Sequence, residues 1–209
     1  MRKAGSPESQ APAWDSICND APHQELKIKK LLRSRYKILN NEGLFFITST
    51  IVEWIPIFTS EKYFNIIIDS VKYCQDNKGL KIFAYVILDN HFHMIVKDDG
   101  LTDTMKSLKS FTAKNIIEQL RADKKMWLLN QLEYYKLNHK TTSIHQVWQE
   151  SFHPKEITTD EILEQKLDYI HFNPVKRGLV TEPEHWRYSS AGYYYKGVEG
   201  VIKLSSFVE

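Results

Sequence analysis

The chain has 209 residues, of which 42% are hydrophobic and 26% are charged, and its formal net charge is +2. These values are ordinary for a globular protein with one hydrophobic core, and they exclude a largely disordered chain. Two cysteines cannot build a disulfide framework or a cysteine-based zinc site. Residues 1–18 contain no apolar core of the secretory kind, and no stretch of the chain resembles a membrane span. We therefore expect a soluble cytoplasmic protein that has no membrane partner.

Residues 1–42 are expected to form an extension outside the folded domain. Residues 1–24 are polar, contain several prolines and show no hydrophobic period. Residues 25–40 interleave basic with apolar side chains. This pattern predicts either a solvated amphipathic helix or a basic arm that contacts phosphates.

Hydrophobic periodicity predicts strands and helices in alternation from residue 44 onward. A first helix is capped by Thr59 or Ser60 and ends at 77–79, and the last helix ends before Pro174. An irregular stretch is expected at 124–145. The predicted strands cover 44–52, 80–88, 91–96 and 146–152, and the two later helices cover 102–121 and 158–173.

The element order β-α-β-β-α-β-α predicts an α+β, ferredoxin-like (RRM-like) fold. Its central antiparallel sheet carries packed helices, its first and third strands are central, and one extra helix follows at the C-terminal end. We expect this domain to span 43–180. Residues 181–209 would form a C-terminal tail.

Two histidines stand two residues apart in the third predicted strand, His91 and His93. Alternate residues of a strand point to the same face, so both imidazoles would lie side by side while Phe92, Met94 and Val96 face a core. Two imidazoles at this spacing can bind one divalent metal ion. The alternative is a pair of partly buried histidines whose nitrogens are satisfied by hydrogen bonds.

Tyr169 and Asn173 are four residues apart near the end of the last predicted helix, so they share one helix face. A tyrosine followed by an oxygen donor at this spacing can hold a nucleophile beside a metal ion. The alternative is a core tyrosine and an ordinary helix-end asparagine. Taken alone, the pair favours the second interpretation.

Together these stretches resemble the HUH single-tyrosine transposases, and within them the REP-associated tyrosine transposases. The resemblance covers roughly residues 43–195. It is carried by Asp-Asn-His-Phe-His at 89–93, Trp-Gln at 148–149, Phe-His at 152–153, Asp-Tyr-Ile-His-Phe-Asn-Pro-Val-Lys-Arg-Gly at 168–178 and Trp-Arg-Tyr-Ser-Ser at 186–190.

This resemblance implies a transposase on an HUH nuclease fold, in which the extra C-terminal helix is the catalytic helix. His91, His93 and Asn173 would bind Mg²⁺ or Mn²⁺. Tyr169 would cleave single-stranded hairpin DNA of the REP (palindromic) kind, keep the 5′ end as a phosphotyrosine and release a 3′-hydroxyl. Strand transfer would reverse this step without a nucleotide cofactor. The REP-associated branch implies a monomer rather than a dimer.

Lys166 lies one turn before Tyr169 and is expected to favour the phenolate, because an unperturbed phenol has a pKa of about 10. His171 is expected to pack rather than act as a base. Basic and aromatic side chains outside the site predict contacts with single-stranded DNA, although each also fits an ordinary surface residue. They are Lys106, Lys109, Lys114, Lys176, Arg177, Trp186, Arg187 and Tyr188. The last three lie in the tail at 181–209, which is therefore a candidate DNA contact.

The sequence is also compatible with three other functions. A hairpin-binding protein that has lost cleavage would need the same basic surface but not Tyr169. A relaxase-like nuclease shares the histidine strand, and a small-molecule metal hydrolase would leave the Tyr169–Asn173 spacing without a role.

Overall fold

The computed structural model describes residues 43–150 and 152–207. The predicted extension over residues 1–42 lies outside these described residues. No helix in the described ranges is long and apolar enough to cross a membrane. The elements are β1 (Leu44–Thr50), α1 (Glu61–Lys78), β2 (Lys81–Ile87), β3 (His91–Lys97), α2 (Leu101–Ala122), α3 (Met126–Tyr134), β4 (Lys155–Glu156), α4 (Asp160–Lys176) and α5 (Ala191–Lys196).

The four strands form one antiparallel sheet in the order β2-β3-β1-β4. The predicted α+β, ferredoxin-like plan is therefore confirmed, with the first and third strands at the centre. β3 is hydrogen-bonded on both sides, and its register places Thr48 opposite His93 and Thr50 opposite His91. A central strand of this kind holds its side chains on a rigid platform.

Alternation along β3 gives the two faces of the sheet different roles. Phe92, Met94 and Val96 are buried in the main core together with side chains of α1 and α2. Burial of each large apolar side chain in this core stabilises the fold by about 2 kcal/mol. His91 and His93 lie on the opposite face, where Tyr169 of α4 contacts His93.

Two predictions about the segment between α2 and α4 were wrong. Residues 126–134 form helix α3, because Leu129 and Leu132 bury one face while neighbouring side chains stay exposed. Trp148 makes only an isolated bridge to Ile51, and the fourth strand forms later, at 155–156. The apolar alternation at 146–152 therefore marked a segment that contacts the end of β1 without forming a full ladder.

The predicted end of the last helix before Pro174 was also wrong, since α4 continues to Lys176. A proline inside a helix removes one backbone hydrogen bond. The turn is nevertheless closed by the Arg177 N–H, which donates to the Asn173 carbonyl, and by the Leu179 N–H, which donates to the Pro174 carbonyl. Asn173 is therefore fixed inside the helix, one turn after Tyr169.

The segment after α4 covers the outer edge of β2. The Ile87 N–H donates to the Tyr188 carbonyl, the Ser190 N–H donates to the Tyr85 carbonyl, and the Ser205 N–H donates to the Ile82 carbonyl. An open strand edge invites pairing with other chains, and this segment protects it. The tail predicted over 181–209 thus packs on the domain where it is described, and its contact with DNA stays a prediction.

Candidate active site

The structure brings three predicted site residues together between β3 and α4. The ring centroids of His91 and His93 are 4.8 Å apart, and those of His93 and Tyr169 are 5.0 Å apart. Phe46 of β1 stacks on His93 at 5.4 Å and meets Tyr169 edge-on at 5.9 Å. Two imidazoles and a phenol that are far apart in sequence therefore form one cluster.

Hydrogen bonds to the Nδ1 atoms orient both imidazoles. His93 Nδ1 lies 2.8 Å from the Thr48 hydroxyl, and His91 Nδ1 lies 2.7 Å from Asn90 Oδ1. The Arg177 guanidinium also donates to Asn90 Oδ1 at 3.2 Å, which identifies this atom as the amide oxygen. Since an amide oxygen only accepts, His91 Nδ1 carries the proton and Nε2 keeps its lone pair.

The Nε2 atom of His93 is buried and has no hydrogen-bond partner within the described structure. A buried nitrogen without a partner is unfavourable unless it binds a ligand. Histidines that bind metals characteristically hold Nδ1 in a hydrogen bond and offer Nε2 to the ion. The arrangement of His91 and His93 therefore fits a divalent metal ion.

Burial keeps both imidazoles neutral at pH 7. Loss of hydration, reinforced by the positive charge of Arg177, lowers the pKa of His91 to about 3. Burial holds the pKa of His93 well below its usual value, and His91 and Lys166 lower it further. The neutral imidazole is the form that binds metal ions.

Asn173 is the predicted third ligand, and it is 9% exposed. The described residues contain no cluster of three or more His, Cys, Asp or Glu side chains that could hold a metal. Any third protein ligand from the described residues would therefore be of another residue type. Asn173 follows Tyr169 by four residues and shares its helix face, while its contact with the histidines stays a prediction.

Arg177 joins the end of α4 to the turn before β3. Its guanidinium lies 2.9 Å from the Asp89 carboxylate and also donates to Asn90. This contact fixes α4 against the histidine strand. Arg177 thus has a structural role, while its predicted contact with DNA is untested.

Lys166 lies beside the candidate nucleophile, as its sequence spacing predicted. Its Nζ atom is 5.9 Å from the ring centroid of Tyr169 and 5.0 Å from that of Phe46. His171 is buried and its Nε2 lies 2.9 Å from the Ser190 hydroxyl, which confirms its packing role. Lys166 is therefore the cationic group of α4 that the structure places at the Tyr169 ring.

The other predicted DNA-binding residues are not gathered at the histidines. Lys106, Lys109 and Lys114 belong to α2, which packs on the opposite face of the sheet. Four of these side chains are exposed: Lys106, Lys114, Lys176 and Arg187. Arg187 also pairs with Glu61 at 2.8 Å.

The other three side chains make contacts within the protein. Lys109 donates to the Gln149 carbonyl, and the Trp186 indole donates to the Ile87 carbonyl. The ring of Tyr188 stacks on that of Phe64, with centroids 3.7 Å apart.

The chain is similar to known proteins in both sequence and fold. No protein-family model matches the sequence. A protein of Haemophilus influenzae assigned to the REP-associated tyrosine transposases is 26% identical over 152 residues, which span 71% of this chain and 79% of that relative. A solved structure of a REP-associated tyrosine transposase bound to a REP hairpin matches with a TM-score of 0.54. The resemblance to REP-associated tyrosine transposases is confirmed.

The match to the solved REP-associated tyrosine transposase covers 80% of this chain and 88% of that one at 19% identity, so it shows a shared fold. The α+β architecture deduced from the sequence is that of the solved transposase. The roles of the individual site residues rest on the geometry described above.

Thr48, Asn90 and Phe46 support the site but were not among the predicted site residues. Thr48 faces His93 only because of the β1–β3 register. Asn90 directly precedes His91, so its neighbourhood was visible in the sequence, but its bond to the imidazole was not. Side chains that act through a partner on another element leave no local pattern.

Thr48→Val is expected to lower the affinity for Mn²⁺ by about 10–100-fold, because it removes the hydroxyl that orients His93. Calorimetric titration with Mn²⁺ measures this change. Thr48→Ser keeps the hydroxyl and serves as the control, with an affinity near that of the wild type. Equal affinities for wild type and Thr48→Val would show that this hydroxyl does not support a metal ligand.

Stability is expected to fall as the pH falls below the ordinary histidine value. Burial lowers the pKa of His171 from 6.5 to about 3. Between these values the unfolded chain binds a proton that the folded chain excludes, which costs roughly 1 kcal/mol of unfolding free energy per pH unit. Urea unfolding in EDTA at several pH values measures the slope. His171→Gln should make it shallower, and an unchanged slope would contradict this origin.

Proposed function

We propose that this chain is a DNA transposase that cleaves and rejoins single-stranded hairpin DNA through a 5′-phosphotyrosine on Tyr169. The observation that carries the proposal is the contact of Tyr169 with His93, whose buried Nε2 has no partner in the described structure. A nucleophilic phenol beside two neutral imidazoles suits metal-assisted phosphodiester transfer. Similarity to a transposase solved with a REP hairpin supports the choice of substrate.

His91, His93 and Asn173 would hold the divalent ion, Mg²⁺ or Mn²⁺. When bound, this ion supplies positive charge that offsets the charge developing on the scissile phosphate. The donor set fits, since both imidazoles are neutral and oriented through Nδ1. The Asn173 amide adds an oxygen donor, the atom type that both ions prefer.

Tyr169 performs the covalent step in this proposal. Its phenol oxygen forms a bond to phosphorus while the bond between phosphorus and the 3′ oxygen breaks. The phenol proton leaves to solvent, and the departing 3′ oxygen takes up a proton to become a hydroxyl. Attack by another 3′-hydroxyl reverses the step and joins two strands. One phosphodiester bond replaces another, so the reaction needs no nucleotide cofactor.

Lys166 is proposed to favour the phenolate of Tyr169. Lys166→Met is expected to shift the pH profile of cleavage to higher pH, because the cation that stabilises the phenolate is removed. Single-turnover cleavage rates measured from pH 6 to pH 9 would show this shift. Lys72→Met removes an exposed lysine of α1 on the far side of the sheet and is the matched control. An unchanged profile for Lys166→Met would remove this role.

The proposed enzyme acts as a cytoplasmic monomer. His93 and Tyr169 of a single chain are in contact, so one subunit supplies both the metal-binding and the nucleophilic groups. The described cysteine, Cys74, is buried and unpaired, which suits a reducing compartment. Light scattering of the protein with and without hairpin DNA tests the monomer.

Labelled hairpin DNA tests the function. A library of single-stranded hairpins, labelled at the 5′ or the 3′ end, is incubated with the protein in Mn²⁺ or EDTA and run on denaturing gels. We expect a metal-dependent protein adduct on the 5′ end of the downstream fragment. Tight binding without an adduct would make the protein a hairpin-binding protein that has lost cleavage. Failure to bind any hairpin would reject both functions.

A further inference from the structure

An exposed indole lies beside the buried histidine pair. The rings of Trp54 and His91 have centroids 5.4 Å apart and planes at 77°. His91 is 4% exposed, whereas Trp54 is 41% exposed. Trp54 therefore lies at the border between the buried histidines and solvent, where a ligand that approaches the site would meet it.

The backbone under Trp54 adopts a conformation that side chains disfavour. Glu53 and Trp54 have φ angles of 49° and 56°, in the left-handed region where a Cβ atom is crowded. Two such residues in succession persist only when surrounding contacts fix them, and strain of this kind concentrates at functional sites. The strained turn is part of what sets the indole against His91.

Hydrogen bonds fix this turn on both sides of Trp54. Its N–H donates to the Ile51 carbonyl at 3.0 Å, and its carbonyl accepts from Asn90 Nδ2 at 2.8 Å. The oxygen of the same Asn90 amide binds His91 Nδ1 at 2.7 Å. The Asn90 side chain thus holds both the backbone of Trp54 and the imidazole of His91, which links the strained turn to the candidate metal site.

We propose that Trp54 stacks on an unpaired base next to the phosphate that Tyr169 attacks. This inference rests on the proposed function and adds a binding subsite whose ligand is a nucleobase of single-stranded DNA. Every base has a flat π-face, so an exposed aromatic ring can hold one without reading its identity. A base held at Trp54 brings its neighbouring phosphodiester towards His91 and His93.

The stacking is tested by a double-mutant cycle, in which Trp54 is replaced in the protein and single bases are removed from the DNA. The probe is the tightest-binding member of a library of DNA hairpins with randomised single-stranded flanks. Binding is measured by fluorescence anisotropy in EDTA with the Tyr169→Phe protein, so that no adduct forms. One abasic position in the flank is expected to weaken binding by about 10-fold, the effect of losing one stacked base.

Trp54→Ala in the same background is expected to weaken binding of the intact strand by about the same factor. It should also abolish the effect of that one abasic position, because ring and base are lost from the same contact. Trp54→Phe keeps an aromatic face and should restore part of the affinity. Trp127→Ala, which removes a 65% exposed indole on α3, is the matched control and should keep the abasic sensitivity.

Two results would overturn the stacking proposal. In the first, the protein with Trp54→Ala binds every strand as tightly as the Tyr169→Phe protein without it. In the second, the loss of affinity caused by Trp54→Ala multiplies with the loss caused by each abasic position, so that no position is coupled to Trp54. Adduct formation by the wild type is scored separately on denaturing gels. Adducts without coupling reject only the stacking, coupling without adducts rejects only the cleavage, and no binding to any strand rejects both.

Discussion

Tyr169→Phe is expected to abolish the covalent adduct and to slow strand cleavage by on the order of 10⁴-fold or more. The substitution removes the oxygen that would form the bond to phosphorus, and a phenylalanine ring cannot carry the 5′ end. Denaturing gels of labelled hairpin DNA with Mn²⁺ measure both losses.

The Tyr169→Phe variant should remain folded and bind hairpin DNA, because the phenyl ring can keep the contacts with His93 and Phe46. Tyr73→Phe removes the hydroxyl of an exposed tyrosine on α1, across the sheet, and is the matched control. It should cleave at the wild-type rate. A Tyr169→Phe protein that still forms the adduct would place the nucleophile elsewhere in the chain.

His93→Ala and His91→Ala are each expected to reduce Mn²⁺-dependent cleavage by on the order of 10³-fold, more than the loss of a supporting group would. Each variant removes one of the two oriented imidazoles that would bind the ion. Calorimetry should show weakened Mn²⁺ binding, while hairpin binding in EDTA persists. Cleavage rates and calorimetry together therefore distinguish loss of the metal from loss of the substrate.

His171→Gln is the control for removing a buried histidine, since His171 contacts Ser190 rather than the site. It should cleave at the wild-type rate at a temperature at which both the variant and the wild type are fully folded. Wild-type cleavage by His93→Ala at the same Mn²⁺ concentration would contradict the assignment of the metal ligands.

Three of the four strands could be predicted because each has a local hydrophobic periodicity. The fourth strand has only two residues, too few for a periodic pattern. Alternation at 91–96 identified β3, and the element order placed it at the centre of the sheet. Helix α3 differs from the expected irregular stretch because only Leu129 and Leu132 are buried, while most of its other apolar side chains are exposed and obscure the helical period. Pro174 predicts a helix end, but α4 continues beyond it because tertiary packing and the closing hydrogen bonds stabilise the last turn.

The candidate site could be predicted only in part. Spacing within one element placed His91 with His93 and Tyr169 with Asn173. Only the family resemblance implied that Tyr169 lies close to His93, because this contact depends on how α4 packs on the sheet. Trp54 was not predicted at all, because its position follows from two left-handed residues and a bond to Asn90. Such contacts between distant elements have no periodic signature.

Mass spectrometry can identify the residue that carries the DNA and so test the proposed nucleophile. Wild-type protein is incubated with hairpin DNA and Mn²⁺, digested with nuclease and trypsin, and analysed by tandem mass spectrometry. We expect a nucleotide joined through its 5′ phosphate to Tyr169, in the tryptic peptide 167–176. A nucleotide on any other peptide, or cleaved DNA without a covalent peptide, would contradict this expectation.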